Sequence, residues 1–250
     1  MKRIIILLLL GILQHATAQE LYKAADIPST LKPRANAVIR NMETTVDMRS
    51  PEHVVILVKQ AVTVLNKNGD SDGGLYIYYN KNSSIKGIKG EIYDEFGTQI
   101  RKFTQNNFKD ESAISNFSLF EDDRIKYFEP QMIQYPYTVV YEYELRNKQN
   151  LIIPDWYVNP APAVAVERNS YRFICKTGDK VTLSLIILRK TEQRPRMKSW
   201  FTTTGKQRTF WLTVQNLIHS LPIFSSPTLK LHLKNFLTLT PQENTTTGMN

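Results

Sequence analysis

Apolar and polar residues alternate along most of the chain with a period of two, the pattern of strands that bury one face and wet the other. From Ala35 to Asn66 two β-branched runs flank Ser50-Pro51, and in the second run Val54, Ile56, Val58, Val62 and Val64 share one parity. Two strands broken at the proline are predicted there. The cluster "NGDSDGG", Asn68 to Gly74, reads as a hairpin turn and is followed by "LYIYYN" as a strand. "IKGEIYDEFGTQIRKF" reads as two more strands joined at Glu95-Phe96-Gly97. The cleanest alternation lies in Tyr135–Arg146: Tyr137, Val139, Tyr141, Tyr143 and Leu145 face one way, and Thr138, Val140, Glu142, Glu144 and Arg146 the other. A further strand, "NSYRFIC", follows the proline-rich "NPAPAVAVE", and a short helix is expected within Asp110–Phe120. Many strands without long amphipathic helices predict an all-β, mainly antiparallel, β-sandwich-like domain.

The N-terminus departs from this pattern. Met1-Lys2-Arg3 precedes the apolar run "IIILLLLGIL", and Ala16-Thr17-Ala18 forms a small-x-small site. Residues 1–18 are therefore read as a signal peptide, and the chain as exported to the periplasm or cell surface. The run is short for a bilayer span and no comparable run follows, so no integral membrane segment is expected after cleavage. The single cysteine, Cys175, excludes an internal disulfide. The formal charge of +9 suggests a nucleic-acid partner until it is located. Residues 19–180 carry 21 basic and 21 acidic residues, while Val181 to Asn250 carries nine basic residues against Glu192 and Glu243. The body is neutral, and no nucleic-acid partner is expected.

The segments "YDEFGTQIRKF", "FEDDRIKYFEP", "YPYTVVYEYELR" and "PDWYVNPAPAVAVERNSYRF" together resemble domain of unknown function 3857, which precedes a transglutaminase-like domain in exported bacterial proteins. The resemblance covers about residues 21–180. It implies a β-rich, non-catalytic accessory domain at 19–180 without a cofactor; the catalytic Cys-His-Asp set would belong to a later domain that this sequence does not contain. The stretch "SWFTTTGKQRTFWL", Ser199 to Leu212, does not read like the body. Joining the third base of each codon to the first two of the next allows "LVYYNWKAKNL" there, an amphipathic strand of the family's type. Residues 181–250 are accordingly expected to be a poorly structured basic tail, read out of frame from near Val181, and the protein a truncated member of its family.

Candidate chemistry is sparse. Cys175, His53 and Asp155 are the body's materials for a thiol-imidazole-carboxylate site, the rival reading of a remnant thiol enzyme. Their order is wrong for a transglutaminase, and Cys175 sits in apolar "YRFIC", where a thiol packs as a small hydrophobe. Asn68, Asp70, Asp72 and Gly73 imitate the start of a calcium loop, but Tyr79 stands where the bidentate Glu belongs, so no metal site is expected. Glu121-Asp122-Asp123 reads as a solvated turn. Tyr76, Tyr78, Tyr79, Tyr137, Tyr141, Tyr143, Trp156 and Tyr157 supply rings for either a sheet core or a groove for cell-envelope glycan or a protein partner. Trp156, Tyr157, Tyr137 and Tyr141 are the candidate binding residues.

Overall fold

The computed structural model describes residues 22–50, 52–113, 122–148, 156–157, 161–177, 181–187, 196–204, 207–217 and 229–235. The paired β-branched runs become β1 (Ala37–Ser50) and β2 (His53–Val64). They are followed by β3 (Leu75–Tyr79), β4 (Ser83–Tyr93), β5 (Gln99–Thr104), β6 (Lys109–Ser112) and β7 (Arg124–Phe128). The remaining strands are β8 (Tyr137–Asn147), β9 (Trp156–Tyr157), β10 (Val164–Lys176), β11 (Val181–Ile187), β12 (Arg196–Thr204), β13 (Gln207–Leu217) and β14 (Leu229–Asn235). The fold is all-β. An eight-stranded sheet runs β12-β13-β10-β1-β2-β8-β4-β5, accompanied by two three-stranded sheets, β3-β7-β6 and β11-β14-β9. Pairing is antiparallel except between β1 and β10, which run parallel in the middle of the large sheet.

The predicted parity holds in the core. Tyr137, Val139 and Tyr141 are buried, with Tyr143 and Leu145 packed against the same cluster, as are Val62 and Val64 of β2. Leu75, Ile77 and Phe128 from the small β3-β7-β6 sheet join that cluster, and the rings of Phe103 and Phe128 stack with centroids 4.2 Å apart. This end is sandwich-like. On the opposite face the segment before β1 lays Ala24, Ile27, Leu31 and Ala35 against Val38 and Ala165. That cover explains why Thr138, on the supposedly wet face of β8, is buried. Its hydroxyl lies 2.8 Å from that of Thr63, so the two satisfy each other.

Two connecting segments bear on the expectations made from sequence. Residues 109–112 form the edge strand β6; all four are exposed and the backbone pairs with β7, so the strand is set by its ladder and not by an apolar face. The remainder of the span in which a short helix is expected, 114–120, lies outside the described residues. The acidic glycine-rich cluster is a 3-10 helix, Lys67–Gly73, capped by Asn66, whose side chain accepts from the Asn68 amide at 3.0 Å.

The unusual stretch beginning at Ser199 falls in the β12–β13 hairpin. β13 pairs with β10 from Val166↔Leu217 to Lys176↔Gln207, so the large sheet continues past Lys180.

Candidate functional site

Four adjacent strands of the large sheet, β10, β1, β2 and β8, form the floor of a cleft of about 140 Å³. Ile39, Val62 and Val164 supply the apolar floor, each at most 1% exposed. A bulge in β1 lies beside it. Val62 opposes Ile39 but the next residue, Ala61, opposes Asn41, leaving Arg40 as the extra residue. Its guanidinium is taken up by the Glu167 carboxylate at 2.7 Å and the Lys23 carbonyl at 3.0 Å.

One wall of the cleft is the 3-10 segment, and its glycines are required by close approach. A Cβ on Gly69 would lie 2.4 Å from the Asn36 carbonyl oxygen, and one on Gly73 would lie 2.7 Å from Val64 Cγ2. Pressed down in this way, the segment presents its two aspartates to different surroundings. Asp70 accepts hydrogen bonds from the hydroxyls of Tyr135, at 2.8 and 2.7 Å, and Tyr137, at 3.1 Å. Asp72 lines the cleft. Among the described residues its carboxylate has no hydrogen bond or ion pair, and burial pushes its pKa up from the ordinary aspartate value.

Two more polar side chains line the same space. Gln60 and Tyr141 are direct cross-strand partners on β2 and β8. Neither side chain makes a hydrogen bond among the described residues, although Tyr141 is only 4% exposed. Burial raises the Tyr141 pKa strongly, so the hydroxyl keeps its proton at neutral pH. Among the described residues, no lysine, arginine or histidine lines the cleft. The arrangement offers oxygen atoms above an apolar floor.

The four aromatic residues expected to line a groove do not come together on one surface. Trp156 is 2% exposed: its indole N–H donates to Asn169 Oδ1 at 2.9 Å and its ring packs 6.1 Å from that of Tyr171. Asn169 in turn donates to the Tyr157 carbonyl at 3.0 Å, which pins β9 down and leaves the Tyr157 ring exposed. Tyr137 is a core residue 1% exposed whose hydroxyl donates to Asp70, and it does not line the cleft. Tyr141 alone of the four lines the cleft. The buried indole of Trp156 presents no free face for a sugar.

Tyr76 and Tyr78 point outward from β3, and Tyr76 stacks on Tyr127 with centroids 6.0 Å apart. Cys175 is buried in β10, whereas His53 is exposed at the start of β2 with β1 between the two strands; Asp155 lies outside the described residues. The rival thiol-imidazole pair is therefore not assembled. No group of three or more metal-ligating side chains occurs among the described residues. Asp122 and Asp123 are exposed, Asp122 pairing with Lys81 at 2.9 Å, while Glu121 lies outside the described residues. No helix among the described residues is long and apolar enough to cross a membrane.

Gln60 was absent from the sequence-based candidates although the sequence marks it. It is the one polar residue on the parity shared by Val54, Ile56, Val58, Val62 and Val64. A carboxamide placed on a buried strand face must meet a partner or a cavity.

Comparison with known proteins gives the geometry its context. The family model of the domain of unknown function with solved structure (DUF3857) matches residues 52–219, more than half of the chain and past Lys180. Among curated proteins none matches. The solved structure of a proposed protease from Parabacteroides distasonis superposes with a TM-score of 0.65 at 12% identity, over 81% of this chain and 41% of that one. The chain thus spans less than half the length of that structure, and at this identity the likeness is one of fold. An M1 zinc metallopeptidase from Deinococcus radiodurans (TM-score 0.30, 10% identity, 78% of this chain and 45% of that one) superposes too poorly to carry an argument. The same holds for a proposed nutrient-binding protein from Legionella pneumophila (TM-score 0.31, 10% identity, 80% and 68%).

Proposed function

The chain belongs to the DUF3857 family, and from that premise we propose that it is an exported, non-catalytic accessory module that binds a partner and accompanies a catalytic domain of transglutaminase type. The observation that carries this reading is the fold match to the proposed protease, in which the shared architecture makes up only part of a longer chain. A domain that recurs as one part of a larger protein is suited to binding or positioning for its neighbour. Export is supported by the basic, apolar and small-residue sequence of residues 1–18. The buried setting of Cys175, apart from exposed His53, favours a structural thiol over a nucleophile. The family match past Lys180 and the β10–β13 pairing favour counting residues through 219 as part of the module. DNA sequence across the Val181 codon checks this, with an uninterrupted frame expected.

Alkylation tests the non-catalytic reading. Cys175 in the native protein is expected to label slowly with iodoacetamide and rapidly after unfolding in guanidinium. Fast native labelling, together with loss of a transamidating or peptide-cleaving activity, would support an enzyme instead.

A further inference from the structure

We propose that the cleft over β1, β2, β8 and β10 binds an aliphatic primary ammonium group, with Asp72, Gln60 and Tyr141 around the nitrogen and the apolar floor against the carbon stem. The inference deepens the reading of the chain as a binding module and rests on it.

Asp72 is half-buried and unpartnered among the described residues, and the Tyr141 hydroxyl, on a side chain more than nine-tenths buried, has no hydrogen-bond partner there and is not sealed from solvent. A desolvated carboxylate without a cation costs free energy that an incoming cation recovers. The neighbouring Asp70 does not share this condition, because two tyrosine hydroxyls already occupy it. An ammonium has three donors and no acceptor, and three oxygen-bearing side chains line the cleft. A guanidinium has five donors in a fixed plane, so it would leave donors unmet in the same space. Size agrees with this choice. The cleft volume of about 140 Å³ is close to that of an apolar cavity of about 150 Å³ that holds a benzene-sized group, room for a stem of a few carbons. Ile39, Val62 and Val164 offer that stem a surface that Asp72 alone would not.

The chemistry is shared by a lysine-type side chain and by the amino terminus of a peptide. The full-length chain, isotope-labelled, is titrated with n-butylammonium and with n-butanol as a neutral isostere, following backbone amide shifts by NMR. Saturable millimolar binding is expected for a fragment of this size, with the amine favoured about tenfold over the alcohol because its hydrogen bonds are to a charged group. Asp72→Asn is expected to erase that preference with a thermal melt slightly above that of the parent. Tyr141→Phe, which removes only a hydroxyl, should weaken amine binding about threefold. Titrations with Nα-acetyl-lysine amide and alanylalanine amide assign the source by which binds more tightly. Equal binding of butylammonium and butanol, or an undiminished amine preference in Asp72→Asn, would overturn the proposal. Either result would leave the non-catalytic reading standing, since that reading is decided by Cys175 labelling.

Discussion

On the face of the β3-β7-β6 sheet that also carries Leu75, Ile77 and Phe128, Asp110 receives the Tyr79 hydroxyl at 2.8 and 2.6 Å, Arg124 Nε at 2.9 Å and Lys126 Nζ at 2.7 Å. In the cleft over β1, β2, β8 and β10, Asp72 receives nothing from the described residues. Both regions carry tyrosines and carboxylates, so composition does not separate them. Satisfaction does. On the opposite face of the same sheet Tyr127 donates to Glu111 at 2.7 Å and Tyr76 to Glu129, so polar pairs on both faces hold three short strands in register. The cleft keeps oxygen atoms half-desolvated and unmet, a cost that a folded chain sustains where something else supplies the partner. The two aspartates are thus distinguished by which of them the protein has already answered.

The largest effect expected from breaking this arrangement comes from the segment that carries Asp72. Gly69→Ala drives a methyl into the Asn36 carbonyl, and backbone cannot yield as a flexible side chain would. A loss of about 2–3 kcal/mol is expected in a urea melt, with amine binding lost in parallel as the wall is displaced. A loss near zero would show that the segment is not pressed against the sheet.

A smaller effect is expected in the β3-β7-β6 sheet. Burial works against the charge of Asp110, but hydrogen bonds from Lys126, Tyr79 and Arg124 outweigh it and hold the carboxyl down at about 2. The stabilisation is fully present above the ordinary value of 3.8 and is lost as pH falls through about 2. The group is largely solvated, so Asp110→Asn should cost only about 1 kcal/mol at neutral pH, and the variant should lose the parent's extra acid sensitivity in that window. Unchanged stability at neutral pH would reduce the lattice to surface decoration.

The smallest effect has the opposite sign. With its pKa raised by burial, Asp72 favours the folded state when protonated; that contribution is present below the ordinary 3.8 and is lost as pH rises through the folded value. At neutral pH the ionised carboxylate is a liability. Asp72→Asn is therefore expected to gain about 0.5 kcal/mol, discounted for its half-exposed position, when measured by chemical denaturation without ligand. A loss of stability would mean that the carboxylate has a structural role.

Much of the scaffold was legible from the chain alone. Parity marked the buried faces of β2 and β8, and Asp94 to Thr98 closed the β4–β5 hairpin as expected, with the Asp94 carboxylate accepting from the Phe96 and Thr98 amides at 3.0 and 2.8 Å. Period-two patterning reports one face of one strand, so it could not foresee what depends on a second element. Thr138 is buried by the chain before β1, and Trp156 by a hydrogen bond to Asn169, thirteen residues away. The acidic cluster at Asn68–Gly74 was visible as a turn, yet its packing depends on Asn36 and Val64, which no local pattern announces. β12 and β13 are joined to the body by ladder hydrogen bonds, which composition does not report. Gln60 is the instructive miss, because the sequence displayed a polar residue on an apolar face and only the cleft gives it a use.

One titration places the two carboxylates side by side. With the aspartate carboxyl carbons isotope-labelled, NMR across the acid range should show Asp110 titrating near 2 and Asp72 above the ordinary aspartate value in the same sample. Saturating n-butylammonium should then pull the Asp72 midpoint downward and leave Asp110 where it was. An Asp72 midpoint at the ordinary value, unmoved by the amine, would contradict the claim that its unanswered charge marks the binding site.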